Sequence, residues 1–288
     1  MRLGFHLSIA GSLSLALRQA RVLGCQALQI FVANPRQWRW REVPPQEIRQ
    51  FAAARRAAGL APLVVHLSYL PNLASADPEL QRLSRRRLLQ ELARARELEA
   101  DYLVCHPGHG SSDDADLHRV AQALAQAVHQ IPPPPLVLLE NTAGQGQELG
   151  WTPAHLGRIR ALSRVPLGLC LDTAHAYAAG YDLACPAGLG RLLGELARET
   201  GLEAIKIVHL NDSRSPLGSR VDRHQHLGQG GIGLPGLQRL FTHPWLNPRA
   251  VIMETPKRHP ADDWRNLLVA RHLAAGASHY LNGGAAAP

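Results

Sequence analysis

Short apolar runs recur along the chain, separated by longer stretches in which apolar residues return every three or four positions. The runs read Leu3–His6, Leu28–Val32, Pro62–His66, Tyr102–His106, Leu136–Glu140, Leu167–Asp172, Ile205–His209 and Ala250–Glu254. Most are continuous rather than alternating, which suits strands buried on both faces of a parallel sheet. The stretches between them, among them Leu13–Leu23, Pro45–Ala58, Pro78–Glu99 and Leu117–Gln130, carry the helical period. Gly24 and Gly59 are placed to end helices, and Pro132–Pro135 stops a helix before the fifth run. A strand–helix unit repeated eight times within 288 residues predicts an α/β fold, a (β/α)8 TIM barrel. The expected organisation is one domain over residues 1–282, with residues 283–288 as a frayed tail. A long loop is expected over Asn211–Gly236, after the seventh run.

Composition narrows the class. With 45% hydrophobic and 19% charged residues the chain is globular rather than disordered. No apolar run is long enough for a membrane span. His6, Ser8, Ser12 and Ser14 interrupt any signal-peptide core, so the start reads as that of a mature cytoplasmic protein. Cys25, Cys105, Cys170 and Cys185 form no C-x-x-C pair and no disulfide framework, and Cys105 and Cys170, inside apolar runs, read as small buried hydrophobes. The formal net charge is +8, and Lys206 and Lys257 are the only lysines. Arginine favours bidentate phosphate contacts, so the basic balance admits a nucleic-acid partner without requiring one.

Candidate chemistry lies in the residues that close the runs. Runs three to eight end in His66, His106, Glu140, Asp172, His209 and Glu254, all of metal-ligating type. A barrel opens every strand end on one face, where active sites sit. His175 follows Asp172 by three residues, and Asp222 and His224 stand two apart in the long loop. Extended chain at that spacing points both side chains the same way, with His226 as an alternative to His224. Five His, two Asp and two Glu without thiolate suit Zn2+, Mn2+ or Fe2+, and exceed what one ion takes. Clustered divalent ions in a basic protein point to phosphodiester hydrolysis.

Several segments together resemble endonuclease IV, the trinuclear-zinc family of apurinic/apyrimidinic endonucleases. They are Glu140–Gly146, Leu171–Asp182, His209–Ser213 and Gly218–Gly228. The resemblance runs from Gly4–Gly11 to Glu254, nearly the whole chain. It implies a barrel with three zinc ions that cuts the phosphodiester 5′ to an abasic site, leaving a 3′-hydroxyl and a 5′-deoxyribose phosphate. Trimming of blocked 3′ ends is implied as well. Carried over residue by residue, it assigns His66, His106 and a bridging Glu140 to the first ion. Glu140, Asp172, His209 and Glu254 fall to the second, and His175, Asp222 and His224 to the third. Glu140 and Glu254 become the catalytic carboxylates, and Mn2+ can stand for Zn2+ at some sites. Arg36, Tyr69 and Leu70 match the residues that enter duplex DNA at the lesion and flip the abasic nucleotide out. The resemblance further implies a monomer with no obligate protein partner and no membrane association.

One departure is visible. Leu67 follows His66 where family members often carry Asp, which removes a side-chain hydrogen-bond partner beside that ligand. Trp38 and Trp40 read as packing at the barrel rim, and Arg82–Glu99 as the solvated face of an amphipathic helix. Three alternatives differ in what they need. A sugar isomerase or epimerase of the similar barrel superfamily would use fewer ligands and one ion. A lesion-binding protein that does not cut would need no complete ligand set. A small-molecule metallophosphatase would need neither the basic surface nor the wedge.

Overall fold

A computed structural model describes residues 1–111 and 113–276. The expected tail at 283–288, and the last six residues of the expected domain, lie outside the described residues. Eight parallel strands close into a barrel: β1 (Arg2–Leu7), β2 (Ala27–Ile30), β3 (Leu63–His66), β4 (Tyr102–Cys105), β5 (Leu136–Glu140), β6 (Leu167–Asp172), β7 (Ile205–His209) and β10 (Ala250–Met253). The two remaining strands, β8 (Asp212–Ser213) and β9 (His224–Gln225), pair antiparallel inside the long loop after β7. Around the barrel lie α1 (Leu13–Leu23), α2 (Pro45–Ala57), α3 (Pro78–Glu97), α4 (Asp114–Gln130), α5 (Pro153–Ser163), α6 (Thr173–Ala178), α7 (Pro186–Glu199), α8 (Gly233–Phe241) and α9 (Asp262–Ala274). Among the described residues no helix is long and apolar enough to cross a membrane.

Local chemistry sets the helix ends. Ser12, Asp77, Asp113 and Thr152 accept from the third backbone N–H beyond them and start α1, α3, α4 and α5. Gly24, at φ 72°, closes α1 in the left-handed conformation that suits glycine.

Two apolar layers result. One lies between strands and helices. The other fills the barrel and is made of Ala27, Val64, Val104, Leu138, Cys170, Ile207, Ala250 and Ile252. Gly4 brings β1 against this plug, since a Cβ there would meet the Ala27 carbonyl oxygen at 2.1 Å. Strand side chains alternate, so the residue two positions beyond a plug residue also faces the axis. On β2 to β7 and β10 that rule gives Gln29, His66, His106, Glu140, Asp172, His209 and Glu254. Counting on from Gly4 gives His6. A polar storey therefore sits directly on an apolar floor.

The structure departs from the sequence reading on α3. Arg82 and Arg86 are exposed as expected, but Arg87, Glu91 and Arg94 are buried. They face the loops after β2 and β3 instead of solvent. Trp40 packs on that same face, its ring 5.4 Å from the Arg87 guanidinium and 5.1 Å from that of Arg94.

Candidate metal centre

The nine ligand-type residues form one continuous cluster at the open end of the barrel. Glu140 is its centre, fully buried at the tip of β5. One carboxylate oxygen lies 3.1 Å from Nε2 of both His66 and His106. The other lies 2.8 Å from His209 Nδ1 and 3.4 Å from His175 Nδ1. Glu254 continues the cluster on one side, 3.3 Å from His209 Nδ1. On the other side Asp222 spans His175 and His224, at 3.3 Å from each. His224 Nε2 also lies 3.6 Å from Asp172. Four overlapping sets of donor atoms converge closely enough to grip an ion: His66, His106 and Glu140; Glu140, Asp172, His209 and Glu254; Glu140, Cys170 and His209; and Asp172, His175 and His224, the last with Asp172 where the sequence reading placed Asp222.

Most of these positions follow from backbone register. Asp172 ends β6 and is also the N-cap of α6, accepting from the His175 N–H at 2.7 Å. One carboxylate thus closes a strand, starts a helix and fixes its neighbour in the cluster. Asn211 donates to the other Asp172 oxygen and accepts from the Glu254 N–H. Asp222 and His224 arrive from the β8–β9 hairpin. Asp212 anchors the far side of that loop by accepting from the backbone N–H of Gly228, Gly230, Ile232 and Gly233.

The ring orientations fit metal coordination. His66 Nδ1 donates to the Leu67 carbonyl at 2.8 Å, so its Nε2 faces Glu140. The missing Asp at position 67 is therefore replaced by that residue's own backbone. His175 Nδ1 lies 2.9 Å from the Asn141 carbonyl. His224 Nε2 is buried without a hydrogen-bond partner and faces Asp172 and Asp222. An orphaned imidazole nitrogen between two carboxylates is a donor set awaiting a cation. His226 is turned away, its Nδ1 2.9 Å from the Asn266 amide.

Electrostatics support the same picture. Burial disfavours the charge on Glu140, yet His209 and His106 outweigh it and hold the carboxyl well below the usual range. Glu254 behaves alike, with His209 and His6 overcoming burial. Burial also opposes a charge on His175, but Asp172 and Asp222 hold the imidazole well above its ordinary value. A divalent cation competes with protons for these lone pairs. Cys170 lies just beneath, and burial pushes its thiol up to about 12, so it stays protonated.

Two residues of the cluster escaped the sequence reading. Gln29 is fully buried, accepts from His209 Nε2 at 2.8 Å and donates to Glu254 at 2.7 Å. His6 lies 2.7 Å from Glu254 through Nδ1. The signal for both was the alternation: each lies two residues beyond an axis-facing position. Reading the second run to its end at Val32 hid the polar residue in its middle.

A cleft of about 1330 Å³ leads from Asp222, His224 and Glu254 to the loop after β2. Arg39, Arg41, Arg223 and Lys257 line it beside Glu42, Glu47, Asp222 and Glu254, so it offers cationic contacts to an anionic ligand next to the carboxylates of the cluster. Tyr69 stands at its edge, 55% exposed, with its ring 5.2 Å from Phe31. Arg36 is exposed and Leu70 half-buried. The Tyr69 N–H donates to the Pro35 carbonyl at 3.1 Å, joining the two loops that carry Arg36, Tyr69 and Leu70.

Known proteins resemble this chain over nearly all its length. The family described as xylose isomerase-like TIM barrel matches residues 17–272. Endonuclease 4 of Thermus thermophilus is 45% identical over 275 residues, 94% of this chain and 97% of the relative. A Solibacter usitatus protein named probable endonuclease 4 is 44% identical over 281 residues, 95% of this chain and 97% of its own. A crystal structure of endonuclease IV, also from Thermus thermophilus, superposes with a TM-score of 0.86 at 44% identity, covering 96% of this chain and 99% of that one. A D-tagatose 3-epimerase-like protein superposes at 0.73 with 20% identity, which speaks for the shared barrel alone.

Proposed function

The chain belongs to the endonuclease IV family, and we propose that it is a metal-dependent DNA repair endonuclease that hydrolyses the phosphodiester 5′ to abasic sites. The products are a 3′-hydroxyl and a 5′-deoxyribose phosphate, and blocked 3′ ends are trimmed by the same centre. The observation that carries this reading is a run of overlapping donor sets joined through Glu140 and Asp172, from His66 at one end to His224 at the other. A single-ion sugar epimerase has no use for the set that includes His175 and His224.

His66, His106 and Glu140 would hold one ion, Glu140, Asp172, His209 and Glu254 a second, and His175, Asp222 and His224 a third. We assign zinc to all three, with Mn2+ accepted in part, because the donors are imidazole and carboxylate. Bound there, such ions make water nucleophilic near neutral pH and neutralise a phosphate. The chain's own residues do the rest. Glu140 and Glu254 present carboxylate oxygens to the attacking water and orient it. Arg39, Arg41, Arg223 and Lys257 hold the phosphate backbone in the cleft. Tyr69 and Leu70 fill the gap left by the missing base, and Arg36 offers a planar charge beside it. An abasic nucleotide has no stacking to lose, which favours its extrusion over that of an intact one. We place the enzyme in the cytoplasm as a monomer.

The test is incision of a duplex bearing one abasic site, with elemental analysis of the same preparation. Cleavage on the 5′ side and about three divalent ions per chain are expected, with the rate falling as salt rises. No incision together with one ion per chain would overturn the reading.

A further inference from the structure

The loops that carry Arg36 and Tyr69–Leu70 rest on one face of α3, and the contacts are unusual in kind. Arg87 is 1% exposed and Glu91 fully buried, one helical turn apart, with Arg87 Nε 3.9 Å from the Glu91 carboxylate. Arg87 Nη2 donates to the carbonyls of Gln37, at 3.0 Å, and Trp38, both just past Arg36. Its guanidinium also lies beneath the Trp38 and Trp40 rings. Glu91 turns to the other loop, where it takes the Ser68 N–H at 3.1 Å and pairs with the Ser68 hydroxyl. Ser68 directly precedes Tyr69.

A buried ion pair is a poor stabiliser. Desolvating both charges costs about as much as their attraction returns, and an apolar pair of similar volume does as well. Burial indeed pushes the Glu91 carboxyl up to about 7 against the pull of Ser68 and Arg87. What the pair supplies is geometry. Each side chain grips main-chain atoms of a different loop, and the two are locked in register by the helix between them.

We propose that Arg87 and Glu91 are positioning residues for lesion recognition, holding the Arg36 loop and the Tyr69–Leu70 loop at the spacing that fits an abasic gap. Neither belongs to the metal centre nor lines the cleft itself, although Arg87 holds Gln37 and Trp40, which do. The proposal rests on the abasic-site reading above. It adds that recognition is tuned from a helix behind the loops, at residues no DNA reaches.

Arg87→Gln and Glu91→Gln, with Arg87→Lys as the conservative variant, are compared with the unaltered protein on an abasic duplex and on an intact one. Melting temperature and metal content are measured beside the kinetics. KM for the abasic duplex is expected to rise about tenfold or more in the Gln variants, since small displacements of positioning groups cost up to about 100-fold. The value of kcat and the metal content are expected to stay within about twofold, because the hydrolytic centre is untouched. Arg87→Lys is expected to fall between, as one ammonium keeps the charge but cannot hold two carbonyls and underlie two rings. An unchanged KM overturns the proposal, as does a loss confined to kcat or accompanied by loss of metal. So does failure of both Gln variants to fold, which would make the pair purely structural. Lack of incision by the unaltered protein would instead overturn the abasic-site reading.

Discussion

The polar storey at the strand ends and the two probing loops differ in how they are held. Each barrel strand contributes one residue to the storey, and the parallel ladder fixes its height. The side chains then brace one another: Glu140 alone contacts four histidines. The loops have no ladder. Arg36 and Tyr69 are exposed, and their loops are joined by one backbone hydrogen bond, by the packing of Tyr69 on Phe31 and by side chains buried on α3. On the proposed reading, chemistry is placed by strand register, and recognition by side chains reaching out of a helix. Substitutions in the storey are expected to act on kcat and metal content, and those in the loops on KM.

The largest effect belongs to Glu140→Ala. Every donor set but one uses this carboxylate. Incision is expected to fall by at least about 1000-fold under single-turnover conditions, with fewer ions retained and an unchanged Kd for abasic duplex. Weakened duplex binding in that variant would break the division between storey and loops. The converse is the double change Tyr69→Ala and Leu70→Ala. It removes both side chains of the proposed wedge while every cluster residue is kept, and should lower kcat/KM for abasic duplex by about 100-fold, given a few kcal/mol for filling an unstacked step. Three ions should remain by elemental analysis. A fall in kcat at saturating duplex with KM unchanged would show that the loops share in the chemistry.

The same contrast explains how much could be read before the structure. The barrel was legible because buried parallel strands are continuous apolar runs, and Leu13–Leu23 was matched as a helix to the residue. The cluster was legible where the polar residue ended its run, as at His66, Glu140 and Asp172. It was not legible at Gln29, where the run continues through Phe31 and Val32, nor at His6, whose neighbours reveal it only once Gly4 is known to face the axis. Arg36, Tyr69 and Leu70 carry no physical signature of their own, and their assignment to DNA contact rests on the family motif alone. Arg87 and Glu91 were invisible for a further reason. The charged run Arg82–Glu99 reads as solvent-facing until the loops it supports are placed over it, and loop paths follow from tertiary contacts rather than periodicity.

The smallest effect sharpens the comparison most, because it acts on the storey without removing a ligand. Gln29 gives its oxygen to His209 Nε2 and an amide N–H to Glu254, and its amide nitrogen lies 3.0 Å from His6 Nδ1. It thereby turns His209 Nδ1 toward Glu140 and fixes one oxygen of Glu254. Gln29→Leu keeps the volume but leaves those three groups without their common partner. Partners of this kind, behind the ligands, are worth about 10–100-fold in metal affinity. The expected result is the lower end, about tenfold weaker retention against a competing chelator, because His209 and Glu254 still hold each other at 3.3 Å. Incision at limiting metal should drop in step and return when metal is in excess, with KM for abasic duplex unchanged throughout. A raised KM at saturating metal would mean that strand register alone does not separate chemistry from recognition, and that the storey also shapes the surface that binds the duplex.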